Sequence, residues 1–65
     1  MKRLKKQRRM LGLTQSELSH ITGIAPWRIT FAETGRVRLS SEEISKIKDA
    51  LARRAEEVAA ALAAA

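Results

Sequence analysis

Residues 15–34 read QSELSHITGIAPWRITFAET, and this stretch decides the fold. At its centre, Thr22-Gly23-Ile24 has the character of a turn, because a glycine just past an apolar-periodic run supplies the left-handed residue that closes a helix. Ahead of the turn, Thr14 and Glu17 form a T-x-x-E capping box, in which the hydroxyl caps a free amide and the carboxylate reaches back. Leu18 and Ile21 are expected to make the apolar stripe of the helix that follows, with the small Ser19 placed where another helix approaches closely. Beyond the turn, Pro26 stands at a favoured first helical position, since its missing N–H would have no partner there. Ile29 and Ala32 point inward with Ile24, and Gly35 closes the segment. The stretch therefore predicts two short helices joined by a tight turn.

Working outward, residues 2–11 are good helix formers stopped by Gly12, with Leu4 and Leu11 seven residues apart on one face. After Arg36-Val37-Arg38-Leu39, Ser40 and Glu43 form a second capping box, and no Gly or Pro follows it. Ile44, Ile47, Leu51, Ala55, Val58 and Leu62 then recur at steps of three and four, giving one apolar seam along a long helix. The first half of that seam has a small domain to pack on; from Ala55 onward nothing is left to cover it. The expected fold is all-α, a small helical bundle with a long C-terminal helix. Residues 1–52 would form the domain and residues 53–65 a helical extension.

Charge narrows the partners. Thirteen Lys and Arg against seven Asp and Glu give a net charge of +6 in 65 residues. Residues 1–13 hold six bases and no acid, whereas residues 42–65 hold four bases and five acids. A polyanion such as nucleic acid suits a basic end of this kind, with an anionic membrane as the rival. The basic end has only Leu4, Met10, Leu11 and Leu13 as large apolar groups and no aromatic anchor, which argues against the membrane. No stretch is apolar enough for a signal peptide, so the chain reads as cytosolic. Without cysteine, and with His20 alone, neither a disulfide framework nor a metal site is expected. His20 near Ser16, Ser19 and Glu17 does not make a catalytic centre, since these are surface neighbours on one helix without a pocket. No enzyme, cofactor or small-molecule substrate is implied.

The segment Gly12-Leu13-Thr14-Gln15-Ser16-Glu17-Leu18 resembles the G-L-T-Q-x-E-L signature of the phage repressor and Cro (XRE) type helix-turn-helix family. Eleven residues further on, Ile29 to Gly35 (I-T-F-A-E-T-G) is similar to that family's I-S-x-x-E-x-G ending. The resemblance spans Leu4 to Leu51 and implies a lambda-repressor-like DNA-binding domain of bacterial or phage type. By position it implies that Gln15 bonds a DNA phosphate, helped by the amides and dipole of a helix N-terminus. It also implies that Arg8 and Glu33 pair to fix the angle of the third helix, and that Arg36 and Arg38 lie beside the phosphates. Lys2 and Arg3 would add phosphate contacts if the amino end swings toward the duplex.

Base reading falls to the exposed start and middle of the third helix: Ala25, Pro26, Trp27, Arg28, Thr30 and Phe31. Arg28 has the fork for a bidentate contact with guanine, or it holds a phosphate. The only two aromatics, Trp27 and Phe31, are four apart and suit stacking and contact with thymine methyls; alternatively Trp27 folds over the second helix as an edge of the core. Thr22 stands where the family commonly has an aliphatic residue, and Ala32 is smaller than usual, so the core is thin. These features predict a DNA-binding transcriptional regulator, a repressor that binds a palindromic operator as a homodimer through Val58, Leu62 and neighbouring alanines. The alternatives are a protein-interaction module of antitoxin or adaptor kind, and a non-specific basic nucleic-acid binder.

Overall fold

The computed structural model describes residues 3–65, and its regular elements there are all helices: α1 (Leu4–Met10), α2 (Gln15–Thr22), α3 (Pro26–Glu33) and α4 (Ser41–Ala64). Both capping boxes form. Thr14 Oγ1 accepts from the Glu17 amide at 3.0 Å while Glu17 accepts from the Thr14 amide at 3.1 Å. Ser40 and Glu43 repeat the exchange at 3.1 and 2.9 Å, so α2 and α4 each begin where their sequence says. Pro26 opens α3 without a side-chain cap.

Gly35 is required by the way α3 ends. Its φ of 79° lets the Gly35 amide reach the Ala32 carbonyl and the Arg36 amide the Phe31 carbonyl, the paired bonds of a Schellman ending. The chain leaves α3 at a fixed angle, with Arg36 folded back beside Phe31. Gly23 does the equivalent work after α2, with φ 74° and its amide on the Ser19 carbonyl. Ser19 then donates to the Ile24 carbonyl at 2.6 Å, which pins the turn between α2 and α3.

The core is Leu4, Leu13, Leu18, Ile24, Ile29, Ala32, Leu39, Ile47 and Ala50, with Ile44 and Leu51 packed at its edge. One expected member is absent. Ile21 is 56 % exposed, because Leu18 and the residue four on, Thr22, share the inward face of α2. Thr22 is buried there instead, its hydroxyl donating to the Leu18 carbonyl at 2.7 Å and accepting from the Ile24 amide at 3.3 Å. A buried hydroxyl without partners would be costly; this one has two. The first helix is also shorter than residues 2–11, beginning at Leu4, and Lys2 lies outside the described residues.

The carboxy-terminal seam divides as its spacing suggests. Ile47 and Ala50 are buried, Val58 is half-buried, and Ala55 and Leu62 are exposed, Leu62 by 73 %. A helix of this length reaches about 36 Å, and the molecule measures 40 × 19 × 17 Å. The radius of gyration, 12.0 Å, exceeds the roughly 10.7 Å of a compact chain of equal length. The excess is the projecting end of α4.

Candidate nucleic-acid interface

The attitude of α3 is set at both of its ends. At the carboxy end, Arg8 donates from Nε to Glu33 Oε2 at 2.8 Å and from Nη2 to Oε1 at 3.3 Å, and its Nη1 donates to the Leu13 carbonyl at 2.7 Å. The two side chains are 8 % and 2 % exposed. Charges so well covered must be matched bond for bond, which ties α1 firmly to α3. Gln15 joins the same cluster. Its Nε2 donates to Glu33 Oε1 at 2.8 Å and its Oε1 accepts from the Thr30 hydroxyl at 2.9 Å, so both ends of the amide serve inside the protein.

At the amino end, Arg28 makes a fork to Glu43 of α4, from Nε to Oε2 at 2.8 Å and from Nη2 to Oε1 at 2.7 Å. Its guanidinium carbon sits 5.6 Å from the centre of the Trp27 ring. Arg28 is thus held between a carboxylate and an aromatic face. Glu43 occupies the Nε–Nη2 edge of the fork that was expected to face guanine or a phosphate. Sequence reasoning had assigned Glu43 only to its cap; in the structure one carboxylate serves both the cap and the ion pair.

Outward from this braced helix stands an apolar surface. Trp27 is 54 % exposed and Phe31 37 % exposed, so neither ring is sealed in the core. They meet edge to face, with ring centres 5.8 Å apart and planes at 70°. Arg36 lies over the far face of the pair, 6.0 Å from the Phe31 centre. Pro26 is exposed beside Trp27, and Ala25 and Thr30 are half-buried.

A hollow opens at the start of α2, lined by Arg8, Arg9, Gly12, Leu13, Thr14, Gln15 and Ser16. The first amides of a helix have no carbonyl of their own to bond, and the dipole there favours an anion. Arg9, exposed at this hollow, is a cation that the motif reading did not assign. Its signal was positional: it follows Arg8, whose side chain turns inward, and the helical rotation of about 100° per residue carries it off the buried face. Arg3, Lys5, Lys6, Arg36 and Arg38 are exposed as well. His20 is exposed on α2. Among the described residues no group of His, Asp or Glu gathers as a metal site, and no helix is long and apolar enough to cross a membrane.

The carboxylates that build the brace titrate low. Burial would push Glu33 up, but hydrogen bonds from Arg8 and Gln15, with the charges of Arg8 and Lys5, outweigh it and hold the group below its usual value. Glu43 is held at about 2, first by the Arg28 hydrogen bonds and then by the Ser40 amide. Each folded value lies below the unfolded one, so protonation favours the unfolded chain. Stability from both groups is full above about pH 4.3 and is lost as pH falls below it, the part from Glu43 last, as pH reaches about 2. Urea unfolding from pH 7 to pH 2 should show a plateau and then a steep decline in that window. Replacing Glu43 with Gln should remove the lowest part of the decline.

A family model described as helix-turn-helix matches residues 4–58 of the chain. The chain belongs to this family, of the XRE type. No curated protein and no solved structure matches it. In this helix-turn-helix protein, α2 and α3 are the two helices of the motif. It is a DNA-binding regulator of the XRE kind. The match runs past residue 52, through Arg54, whose Nε donates to the Leu11 carbonyl at 2.9 Å and binds α4 to the end of α1.

Proposed function

We propose that this helix-turn-helix protein is a sequence-specific repressor that occupies a palindromic operator as a homodimer. The observation that carries the reading is the exposed Trp27–Phe31 surface on a helix braced at both ends by forked ion pairs. Two bulky rings left in water on a rigid element are best explained by a partner that covers them. In this reading α3 lies in the major groove with Ala25, Pro26, Trp27 and Phe31 toward the bases, while Arg28 and Thr30, on the same helix, hold the geometry. A phosphate sits in the hollow at the start of α2, on the amides of Gln15 and Ser16, with Arg9 beside it. Arg36 and Arg38 each hold a further phosphate, and Arg3 and Lys2 supply more charge at the amino end.

Residues 1–52 act as the reading domain and residues 53–65 as the dimer helix, in which Val58, Leu62 and the alanines between them face a second copy. Small side chains allow such helices to approach closely. Twofold symmetry would then set two recognition helices roughly 34 Å apart, one turn of the duplex. The protein would act where the chromosome is, in the cytoplasm of a bacterium.

Selection of bound duplexes from a random pool, together with sedimentation equilibrium, tests this reading. A palindromic motif and a dimer are expected. The V58D/L62D double variant should sediment as a monomer with its helical content intact, and should bind the selected duplex at least ~100-fold more weakly, the usual return on linking two sites. An asymmetric single half-site bound by a monomer would contradict the dimer. Equal affinity for all duplexes would point instead to non-specific binding, and no affinity at low salt to a protein partner for the aromatic pair.

A further inference from the structure

The threonine hydroxyls of α3 and its carboxy end, and one edge of Arg28, are committed within the protein. The paired edge of Arg28 is on Glu43. The Thr30 hydroxyl has only one proton, and it faces Gln15 Oε1 at 2.9 Å and the Pro26 carbonyl at 3.1 Å. The Thr34 hydroxyl turns back to the carbonyls of Thr30 and Phe31. The Gln15 amide, the nearest polar group on α2, is spent on Glu33 and Thr30. What α3 presents outward is therefore Pro26, the indole of Trp27 and the ring of Phe31, with half-buried Ala25 beside them. The indole N–H is the one donor those side chains retain.

In the major groove, base pairs differ in donors and acceptors and in one apolar feature, the C5-methyl group of thymine. A surface led by two exposed rings, with the Nε–Nη2 edge of its one guanidinium on Glu43, is better suited to the second kind of difference than to the first. From this we infer that the protein reads its site through pyrimidine C5-methyl groups seated against Trp27 and Phe31, and that 5-methylcytosine serves in place of thymine at those positions. The inference rests on the reading of α3 as the groove-entering helix. It adds the chemical feature that α3 recognises and makes binding sensitive to cytosine methylation.

Substituted duplexes test it with the protein unaltered. Once a preferred duplex has been selected, each thymine in a half-site is replaced by deoxyuridine, which removes the methyl and leaves the pairing edge alone. At one or two positions affinity should fall about fourfold, and about fifteenfold when both half-sites are changed, the worth of one and two buried methyls. At the same positions 5-methylcytosine should bind more tightly than cytosine by a similar factor. W27A and F31A, both surface changes whose folding is checked by circular dichroism, should between them abolish the uracil effect. Deoxyuridine tolerated at every position would overturn the inference while leaving sequence-specific binding intact. A uracil effect that survives both variants would overturn the assignment to these rings. If no preferred duplex emerges, the underlying reading of α3 fails too.

Discussion

E33A is expected to unfold a substantial fraction of the protein at room temperature. The carboxylate accepts from two Arg8 nitrogens and from Gln15, in a cluster whose two charged side chains are under a tenth exposed. Removing one member leaves the Arg8 guanidinium covered and uncompensated, at a cost of about 3 kcal/mol or more. A 65-residue chain with one small core has only about 3–5 kcal/mol to lose. The helical signal in circular dichroism should therefore fall sharply at 25 °C, and DNA binding with it. The R8M/E33L double variant should recover much of that loss, since two apolar groups of similar size need no pairing. Recovery should be incomplete, because the Leu13 carbonyl also loses its bond from Arg8. A single variant as stable as the wild type would show that the pair does not hold α1 to α3.

The second large effect is on binding rather than folding. If each subunit places three phosphates, at the start of α2 and at Arg36 and Arg38, a dimer neutralises about six, and log affinity falls with log salt at a slope near −0.9 per phosphate. Between 50 and 200 mM salt the affinity should drop roughly a thousandfold. R36A or R38A should each flatten the slope by about two, one contact in each subunit. The measurement is a fluorescence-anisotropy titration at four or five salt concentrations. A wild-type slope no steeper than −2 would mean that the basic surface does not face the backbone.

Much of this architecture was legible in the chain because the signals were local. Thr14 with Glu17 and Ser40 with Glu43 are caps written within four residues, and Gly23 and Gly35 mark the helix ends they close. The Arg8–Glu33 pair spans 25 residues and came from resemblance, not from spacing. What the sequence concealed was the partnership of side chains far apart in the chain. Arg28 and Glu43 are 15 residues apart, and either one has an adequate local explanation, as a base reader or as a cap. Arg54 finds the Leu11 carbonyl across 43 residues, a bond that no periodicity announces. Ile21 and Thr22 were exchanged for a simpler reason. Hydrophobicity favours Ile21 inside, but the rotation from Leu18 puts Thr22 there, and the Leu18 carbonyl within α2 and the Ile24 amide in the turn supply the two hydrogen bonds that make it tolerable.

The fold's consequence for function lies in the committed donors. Arg28, Thr30 and Gln15 brace α3. In the proposed reading this draws them away from the bases, and specificity is left to the exposed rings of Trp27 and Phe31. The most direct test of this claim is the ratio of affinities for the selected duplex and a scrambled one, measured for the wild type and for the W27A/F31A double variant at fixed salt. The account expects the ratio to fall at least tenfold, toward one, while affinity for the scrambled duplex stays the same, because phosphate contacts are untouched. An unchanged ratio in a folded double variant would contradict it.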